Sequence, residues 1–270
     1  MICLLGVVNG FFFGKKKDTQ LEKRIIGGTK VAVSEYGFMT LVKIDRKDQG
    51  LFICGGALIN GEYIVTAAHC VSESKGPLNT TQVAVGLGSD EIKKLNFSQA
   101  VGITVHPEWD MSNLKNDIAI IKIEKLAYNP TIYPIELPTK KITQNRYVYA
   151  LGFGRNSSSP DAGPTNLNLA RLVSGSITKC AANRPDLNSQ SLLCTNNTLA
   201  PGQDTCLGDS GGPLFIRENG TKILVGITSF GTNSTGYGTQ KCGLSDGIGF
   251  YTNVLHHSEF IKKTISGPVL

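Results

Sequence analysis

Three short stretches of the sequence carry side chains that together could transfer an acyl group. The stretch DTCLGDSGGP contains Ser210 among acids and glycines, His69 lies in IVTAAHC, and Asp117 lies in NDIAIIKIE. Acyl transfer to a serine needs a base that removes the hydroxyl proton, an acid that orients and stabilises the base, and donors for the developing oxyanion. The required residue types are therefore present, although they are far apart in the sequence.

The two acids of DTCLGDSGGP are not explained by a turn. Gly211, Gly212 and Pro213 suit a turn because glycine tolerates positive φ and proline fixes φ. Asp204 could be an exposed turn aspartate, since Asp is common in turns. Asp209 is adjacent to the serine, and a turn alone does not require an acid there.

Short runs of β-branched and aromatic residues predict a β-rich chain, whose strands would position these side chains. After Arg24 the sequence has many short runs that are rich in β-branched or aromatic residues and are separated by Gly, Pro, Asn or Ser. They are LVKI, ALIN, YIVTAA, VAVG, AVGITV, IAIIKI, YVYALGFG, PLFI, ILVGITSF and GFYTNV. Their spacing favours a barrel or a sandwich.

One helix is predicted near the C-terminal end, in HHSEFIKKTI. Val254, Phe260, Ile261 and Ile265 fall roughly on one face of this helix. We expect that face to pack against the wall of a barrel.

Composition restricts the class of protein. The chain has 270 residues, of which 40% are hydrophobic and 18% charged, as in one large globular domain or two closely packed subdomains. No apolar run reaches the length of about 18 residues that a membrane span needs. Part of the net charge of +6 lies in the first 24 residues. The sequence has no basic stripe with interleaved aromatic residues, so nucleic-acid binding is not predicted.

The first 24 residues and the cysteines indicate export. Residues 1–14, MICLLGVVNGFFFG, resemble a secretory signal, and residues 15–24 resemble a pro-segment. A buried N-terminal strand is the alternative, because no basic region precedes the apolar stretch. Loss of the signal would remove Cys3 and leave six of the seven cysteines, which lack the close pairs of a zinc site and favour disulfides. N-glycosylation acceptor patterns, which also support secretion, begin at Asn79, Asn96, Asn156, Asn196, Asn219 and Asn233.

The motifs TAAHC, NDIAIIKI and GDSGGP, in that order, resemble the three signatures of the chymotrypsin–trypsin family of serine endopeptidases. The resemblance extends from Ile25 to the terminal helix, so residues 25–270 are expected to form the protease domain. It implies an all-β fold of two six-stranded antiparallel β-barrels with the active site between them, followed by a C-terminal α-helix.

The resemblance also assigns catalytic roles to individual residues. Ser210 would be the nucleophile, His69 the general base and then the general acid, and Asp117 the buried partner of the imidazole. The backbone N–H groups of Gly208 and Ser210 would form the oxyanion hole. The remaining histidines are expected to be surface or packing residues: His106, His256 and His257.

Asp209 is assigned to activation by the same resemblance. Cleavage after Arg24 would create a new N-terminus at Ile25, whose ammonium pairs with Asp209. A buried carboxylate without a partner is costly, so the uncut chain is expected to be a zymogen with a misplaced loop around Gly208. The alternative is that the Lys-Arg pair before Ile25 is only a solvated basic pair.

Asp204 lies six residues before Ser210, where the family has the floor of its primary specificity pocket. A carboxylate there would favour a substrate Arg or Lys and reject neutral side chains. The resemblance assigns the pocket walls to Ser229, Phe230, Gly231 and Gly249.

The resemblance implies the disulfides Cys54–Cys70, Cys180–Cys194 and Cys206–Cys242, each worth about 3 kcal/mol in the chain-entropy model. Several positions depart from the family pattern. Phe230 replaces the usual tryptophan beside the pocket, GFG at residues 152–154 replaces GWG, and Leu207 lies at the pocket rim. The segment Thr232–Lys241 is longer than usual and contains the acceptor Asn233, which leaves the outer subsites unassigned.

The function expected from these observations is a secreted, extracellular, disulfide-bonded glycoprotein that hydrolyses peptide bonds after Arg or Lys. We expect a monomer that acts on protein or peptide substrates and is bound by protein protease inhibitors, with no cofactor and no metal site. A catalytically weak or inactive protease-fold protein that acts as a binding protein or inhibitor is the alternative, because fold does not guarantee function. A disulfide-braced recognition domain of another fold would explain the cysteines but not the ordered motifs.

Overall fold

The structure is a computed structural model of the chain. It describes residues 28–47, 49–73, 76–154, 166–182, 184–187, 189–197, 202–233 and 242–267. The predicted signal and pro-segment, together with Arg24 and Ile25, lie outside the described residues. The predicted long segment that begins at Thr232 is described to Asn233 and again from Cys242.

The described residues form mostly β-strands, as the sequence predicts, and three short α-helices, of which the sequence predicts only the last. The strands are β1 (Thr29–Lys30), β2 (Met39–Arg46), β3 (Gly50–Leu58), β4 (Tyr63–Thr66), β5 (Ser72–Glu73), β6 (Gly76–Pro77), β7 (Val83–Leu87), β8 (Asn96–Val105), β9 (Ala119–Ile123), β10 (Tyr147–Gly152), β11 (Asn168–Val173), β12 (Leu192–Asn196), β13 (Pro213–Glu218), β14 (Thr221–Thr232) and β15 (Ile248–Asn253). The helices are α1 (Ala68–Val71), α2 (Ile177–Cys180) and α3 (Ser258–Ser266).

The first half of the protein is a closed antiparallel barrel with the strand order β2-β3-β4-β9-β8-β7. Strand β9, AIIKI, shows why these residues form a barrel wall: Lys122 is its only exposed residue. The buried side chains of β2, β4 and β9 join one apolar cluster, and burial of such surface provides about 25 cal/mol per Å². This barrel confirms the predicted fold.

The second half is a curved antiparallel sheet with the order β1-β11-β10-β13-β14-β15-β12. A single β-bridge between Ser174 and Thr195 brings the end of β11 to β12, and the Gly175 N–H donates to the Cys194 carbonyl at 2.8 Å. Six strands therefore curl round on themselves while β1 lies at the edge of the sheet. The second barrel is closed less completely than the first, because one bridge replaces a full strand ladder.

The two halves meet in close backbone contact. The Gly55 N–H of β3 donates to the Ser210 carbonyl at 2.7 Å. A Cβ at Gly55 would lie 2.6 Å from the Cα of Gly212, so this approach requires a glycine. Nearby, the buried ring of Phe215 packs edge to face on Phe38 with centroids 5.6 Å apart.

The predicted C-terminal helix is present as α3. Ile261 is fully buried in the cluster that fills the first barrel, and Phe260 and Ile265 pack against the same cluster. Val254 is also buried but lies before the helix, which begins only at Ser258. The helix therefore packs on the first barrel through a shorter face than the sequence predicts.

The disulfide bonds expected from the sequence are present and join Cys54–Cys70, Cys180–Cys194 and Cys206–Cys242. Cys54–Cys70 ties β3 to α1, and Cys180–Cys194 ties α2 to β12. Among the described residues, no helix combines the length and the apolar character that crossing a bilayer would take.

Candidate active site

His69 and Asp117 are brought together by the pairing of β4 with β9. Thr66, at the end of β4, lies opposite Ala119, at the start of β9. His69, in the helix that follows β4, and Asp117, just before β9, therefore lie at the same end of the barrel. The Nδ1 atom of His69 lies 2.8 Å from Oδ2 of Asp117, and the backbone N–H of His69 donates to Oδ1 at 2.9 Å.

Asp117 also contacts the second half of the protein. The Ser229 hydroxyl donates to Oδ2 of Asp117, and the Thr252 hydroxyl donates to the Asp117 carbonyl at 2.7 Å. The Asp117 side chain is fully buried, whereas that of His69 is 27% exposed. The aspartate is therefore enclosed by donors from both halves, and the imidazole remains accessible.

The electrostatics of this pair favour an anionic carboxylate. Burial alone would raise the pKa of Asp117, but the charge and hydrogen bonds of His69 and the bond from Ser229 hold that pKa below its usual value. Burial alone would lower the pKa of His69, yet the Asp117 carboxylate raises it above the ordinary value. The imidazole is thus a stronger base than it would be without Asp117.

Ser210 and His69 line one cavity of about 740 Å³, which we call the His69 cavity. Within the described ranges, no hydrogen bond joins the Ser210 hydroxyl to the imidazole. Such bonds are often long without a substrate and shorten when one binds. The structure therefore places the predicted nucleophile and base in the same cleft between the two halves.

The backbone N–H groups of Gly208 and Ser210 donate to no protein acceptor in the part of the chain that is described. Gly208 has φ of +96°, and a Cβ there would lie 3.2 Å from atoms of Gly154 and Ile53. Only glycine adopts this conformation without strain. These two N–H groups, one of them on the serine itself, have no described acceptor and can donate to a ligand oxygen.

A second cavity, of about 480 Å³, contains Asp204 and also reaches Ser210; we call it the Asp204 cavity. Its lining includes three of the predicted wall residues: Ser229, Phe230 and Gly231. Oδ2 of Asp204 accepts from the Gly243 N–H at 3.0 Å and from Asn197 Nδ2 at 3.1 Å. Burial raises the pKa of Asp204, so a cation in this cavity would be stabilising.

Gly249, the fourth predicted wall residue, is not among the described residues that line the Asp204 cavity. A Cβ there would lie 2.8 Å from Oγ1 of Thr195 and 3.0 Å from the hydroxyl of Tyr251. The direction in which a Cβ of Gly249 would point therefore faces neighbouring side chains. Gly247 and Ile248 contribute to the lining of the Asp204 cavity instead.

Asp209 is completely buried beside the serine. Its Oδ1 accepts from the Gly154 N–H and its Oδ2 from the Cys206 N–H, both at 2.8 Å. No cation among the described residues contacts it, and burial raises its pKa to about 7. A buried acid with this pKa gains stability from an ammonium group.

One compact group of potential metal ligands occurs in the described part of the chain: Cys54, His69 and Cys70. The two sulfur atoms are bonded to each other in a disulfide. They are therefore unable to act as thiolate ligands, and His69 alone does not make a metal site.

Two contacts in the site were not predicted from the sequence. Ser229 was assigned only to a pocket wall, yet it also donates to Asp117. Arg46 donates from Nη2 to the carbonyl of His69 at 3.1 Å and lies within 3.4 Å of the carbonyls of Cys70 and Ser72. The only sequence signal for Arg46 is a charged residue at the end of a mainly buried strand, which is too common to assign.

A cleft between two β-sheet halves that holds a His–Asp pair and a serine is the arrangement expected of a serine protease. Comparison with known proteins agrees: the trypsin family model matches residues 25–261. The chain belongs to the trypsin family.

Curated relatives support this assignment, and a solved structure has the same fold. The chain is 31% identical over 93% of its length to coagulation factor XI of Bos taurus, spanning 39% of that protein. It is 31% identical over 91% of its length to CLIP domain-containing serine protease B4 of Anopheles gambiae, spanning 71% of it. The chain is 32% identical over 81% of its length to serine protease 1 of Homo sapiens, spanning 82% of that protein. The structure of HL collagenase has the same fold, with a TM-score of 0.76 at 24% identity, over 90% of this chain and 99% of the other.

The His69–Asp117 contact predicts how the imidazole titrates. In an NMR titration, His69 should have a pKa above the ordinary value of about 6.5, because Asp117 stabilises the imidazolium. Asp117→Asn should lower the pKa of His69. His106, whose pKa is lowered by burial, should titrate below His69 and serves as an internal reference. A His69 pKa at or below that of His106 would contradict the geometry.

Proposed function

We propose that the protein is a secreted serine endopeptidase that cleaves after Arg or Lys and is activated by cleavage after Arg24. The observation that carries the proposal is the hydrogen bond between His69 and Asp117, together with the cavity that His69 shares with Ser210. Domain organisation follows the sequence: a signal over residues 1–14, a pro-segment over 15–24 and a protease domain over 25–270.

In the proposed reaction, His69 removes the proton from the Ser210 hydroxyl as the oxygen attacks the substrate carbonyl carbon. The imidazolium then gives this proton to the leaving amine, and the acyl group remains on Ser210. Water, activated by the same imidazole, releases the acid product. Asp117 stabilises the imidazolium and fixes the proton on Nδ1, which leaves Nε2 for the transfer.

Stabilisation of the oxyanion is assigned to the N–H groups of Gly208 and Ser210. Their lack of protein acceptors among the described residues supports this role. Backbone donors held in place before the reaction need no reorganisation when charge develops on the oxygen, and one such donor contributes about 3 kcal/mol.

Specificity for Arg or Lys is assigned to Asp204. The carboxylate lies in a cavity that ends at Ser210, so a side chain that enters it places its own backbone near the serine. A buried acid is costly unless a cation pairs with it. A substrate guanidinium or ammonium would supply that charge, whereas a neutral side chain would leave Asp204 unpaired.

Activation is assigned to an ion pair between the new ammonium of Ile25 and Asp209. The raised pKa of Asp209 supports this assignment, because an acid with two backbone donors and no described cation gains from a positive charge. Arg24 fits the specificity assigned to the protease itself, so we expect activation by another copy of this enzyme.

Export is supported by the three disulfides and by the surface position of glycosylation acceptors. Asn79, Asn96 and Asn219 are exposed. Protein substrates and protein protease inhibitors are the partners that we expect for a monomeric, cofactor-free enzyme. A binding protein on the same scaffold is less well supported, because the described cleft retains the full set of reacting side chains.

The role of Asp204 is tested with esters of Arg and of Phe. In the chain cut after Arg24, kcat/KM should favour the Arg ester, and Asp204→Ser should lower that preference by about a hundredfold or more. Asp186→Ser, which removes an exposed aspartate paired with Arg184, is the matched control. Ser210→Ala gives the background rate. A preference for the Phe ester in the parent enzyme would refute this role of Asp204.

The role of Asp209 predicts different pH dependences of stability for cut and uncut chains. In the uncut chain, the pKa of Asp209 is raised from 3.8 to about 7. The stability that the protonated Asp209 carboxyl contributes is therefore complete below the pKa that this group has in the unfolded chain. It is lost as pH rises through about 7. The loss amounts to at most about 4 kcal/mol. Cleavage adds the ammonium, which should remove this loss.

Thermal unfolding between pH 4 and pH 8 measures the difference. Ser210→Ala is used to prevent self-digestion, with residues 20–24 replaced by an enterokinase site that ends before Ile25. The cut chain should gain stability over the uncut chain as pH rises, and Asp209→Asn should abolish that gain. Parallel curves for the two forms with Asp209 intact would exclude the ion pair.

A further inference from the structure

The His69 cavity has an apolar rim that the proposed reaction does not use. Leu51, Phe52 and Leu207 are 65%, 44% and 50% exposed, and all three line this cavity together with Ile53. Grouped large apolar side chains at a protein surface usually mark a binding site. The cavity thus offers an apolar surface to a ligand.

The position of the cavity relative to Ser210 indicates which part of a substrate enters it. Ser210 and Leu207 line both the His69 cavity and the Asp204 cavity, so the two cavities flank the serine. In the proposed reaction, Asp204 binds the side chain before the cleaved bond, and His69 protonates the leaving amine. The segment that follows the cleaved bond therefore extends into the His69 cavity.

We infer that the His69 cavity is a specificity pocket for a large apolar side chain at one of the first two positions after the cleaved bond. Successive side chains of an extended peptide point to opposite sides at about 3.3 Å per residue, so one of these two side chains faces the cavity. Phe52 and Leu207 are its principal apolar walls. The inference rests on the proposed function and adds a substrate preference on the leaving-group side.

Arg46 also lines this cavity and could instead attract an acidic residue. Its Nη2 already donates to the carbonyl of His69, and its guanidinium lies 5.8 Å from the centroid of the Phe52 ring. Backbone oxygens and an aromatic face both satisfy a cation. Apolar contact should therefore outweigh the attraction of Arg46 for an acid.

The preference is measured by acyl transfer in the enzyme cut after Arg24. An Arg ester forms the acyl-enzyme, and dipeptide amides compete with water for it. The amine nitrogen bonds to the acyl carbon, the ester bond to Ser210 Oγ breaks, and the amine proton passes through His69 to Oγ. Because this step reverses acylation, the amide occupies the leaving-group side.

Leu-Gly-amide and Gly-Leu-amide test the two positions, with Gly-Gly-amide as the reference. We expect one leucine amide to be captured about tenfold better than the reference at equal concentration. Asp-Gly-amide and Gly-Asp-amide should be captured no better than Gly-Gly-amide. This measurement uses the parent enzyme, so it does not depend on the folding of any variant.

Phe52→Ser should lower the preference for leucine at least about threefold, because it removes an apolar wall. Phe97→Ser is the matched control: Phe97 is 46% exposed, belongs to β8 and is not among the described residues that line either cavity. It should keep the parent preference. An equal loss in both variants would overturn the inference.

Three further results distinguish the inference from the proposed function. Turnover of the Arg ester with equal capture of leucine and glycine amides would overturn the inference alone. The apolar rim would then be assigned to the binding of another protein rather than of the substrate. Better capture of the aspartate amides would also overturn it and would assign the cavity to Arg46. Absence of Arg-ester turnover in the folded, cut enzyme would overturn the proposed function itself.

Discussion

The buried carboxylate of Asp117 is the interaction on which the site depends. It accepts hydrogen bonds from His69 of the first barrel and from Ser229 of the second sheet. An ionised group without water is costly unless such donors surround it. The two halves must therefore pack in one arrangement to satisfy it, and the same arrangement places Ser210 and the imidazole on the lining of one cavity. The Gly55–Ser210 backbone bond at the contact between the halves supports that arrangement.

Asp204 and Asp209 are also removed from water, but their pKa values are raised, whereas the pKa of Asp117 is lowered. Asp209 is buried and Asp204 is partly buried, and neither contacts a cation among the described residues. In the proposed function, Asp204 receives its cation from the substrate and Asp209 from the new N-terminus at Ile25. Specificity and activation would then both depend on a positive charge that none of the described residues supplies at these positions.

Much of the fold and of the site was predictable because ordered motifs fix the family, and the family fixes the barrels and the cysteine bonds. The apolar run of β9 and the helical face around Ile261 were sufficient to predict a strand and the C-terminal helix. Other features depend on which way a side chain points across strands that are distant in sequence. This group has three members: the donation from Ser229 to Asp117, the position of Gly249 outside the Asp204 cavity, and the single Ser174–Thr195 bridge. Arg24 and Ile25 lie outside the described residues, so their role stays a prediction.

The most direct test of the central claim is the reactivity of Ser210 toward diisopropyl fluorophosphate in the chain cut after Arg24. Mass spectrometry should show one added group, located on Ser210. The rate of its addition should rise with pH through the pKa of His69, above about 6.5, and should fall steeply in His69→Ala. A serine that stays unmodified in the folded protein, or that reacts equally fast without His69, would contradict the account.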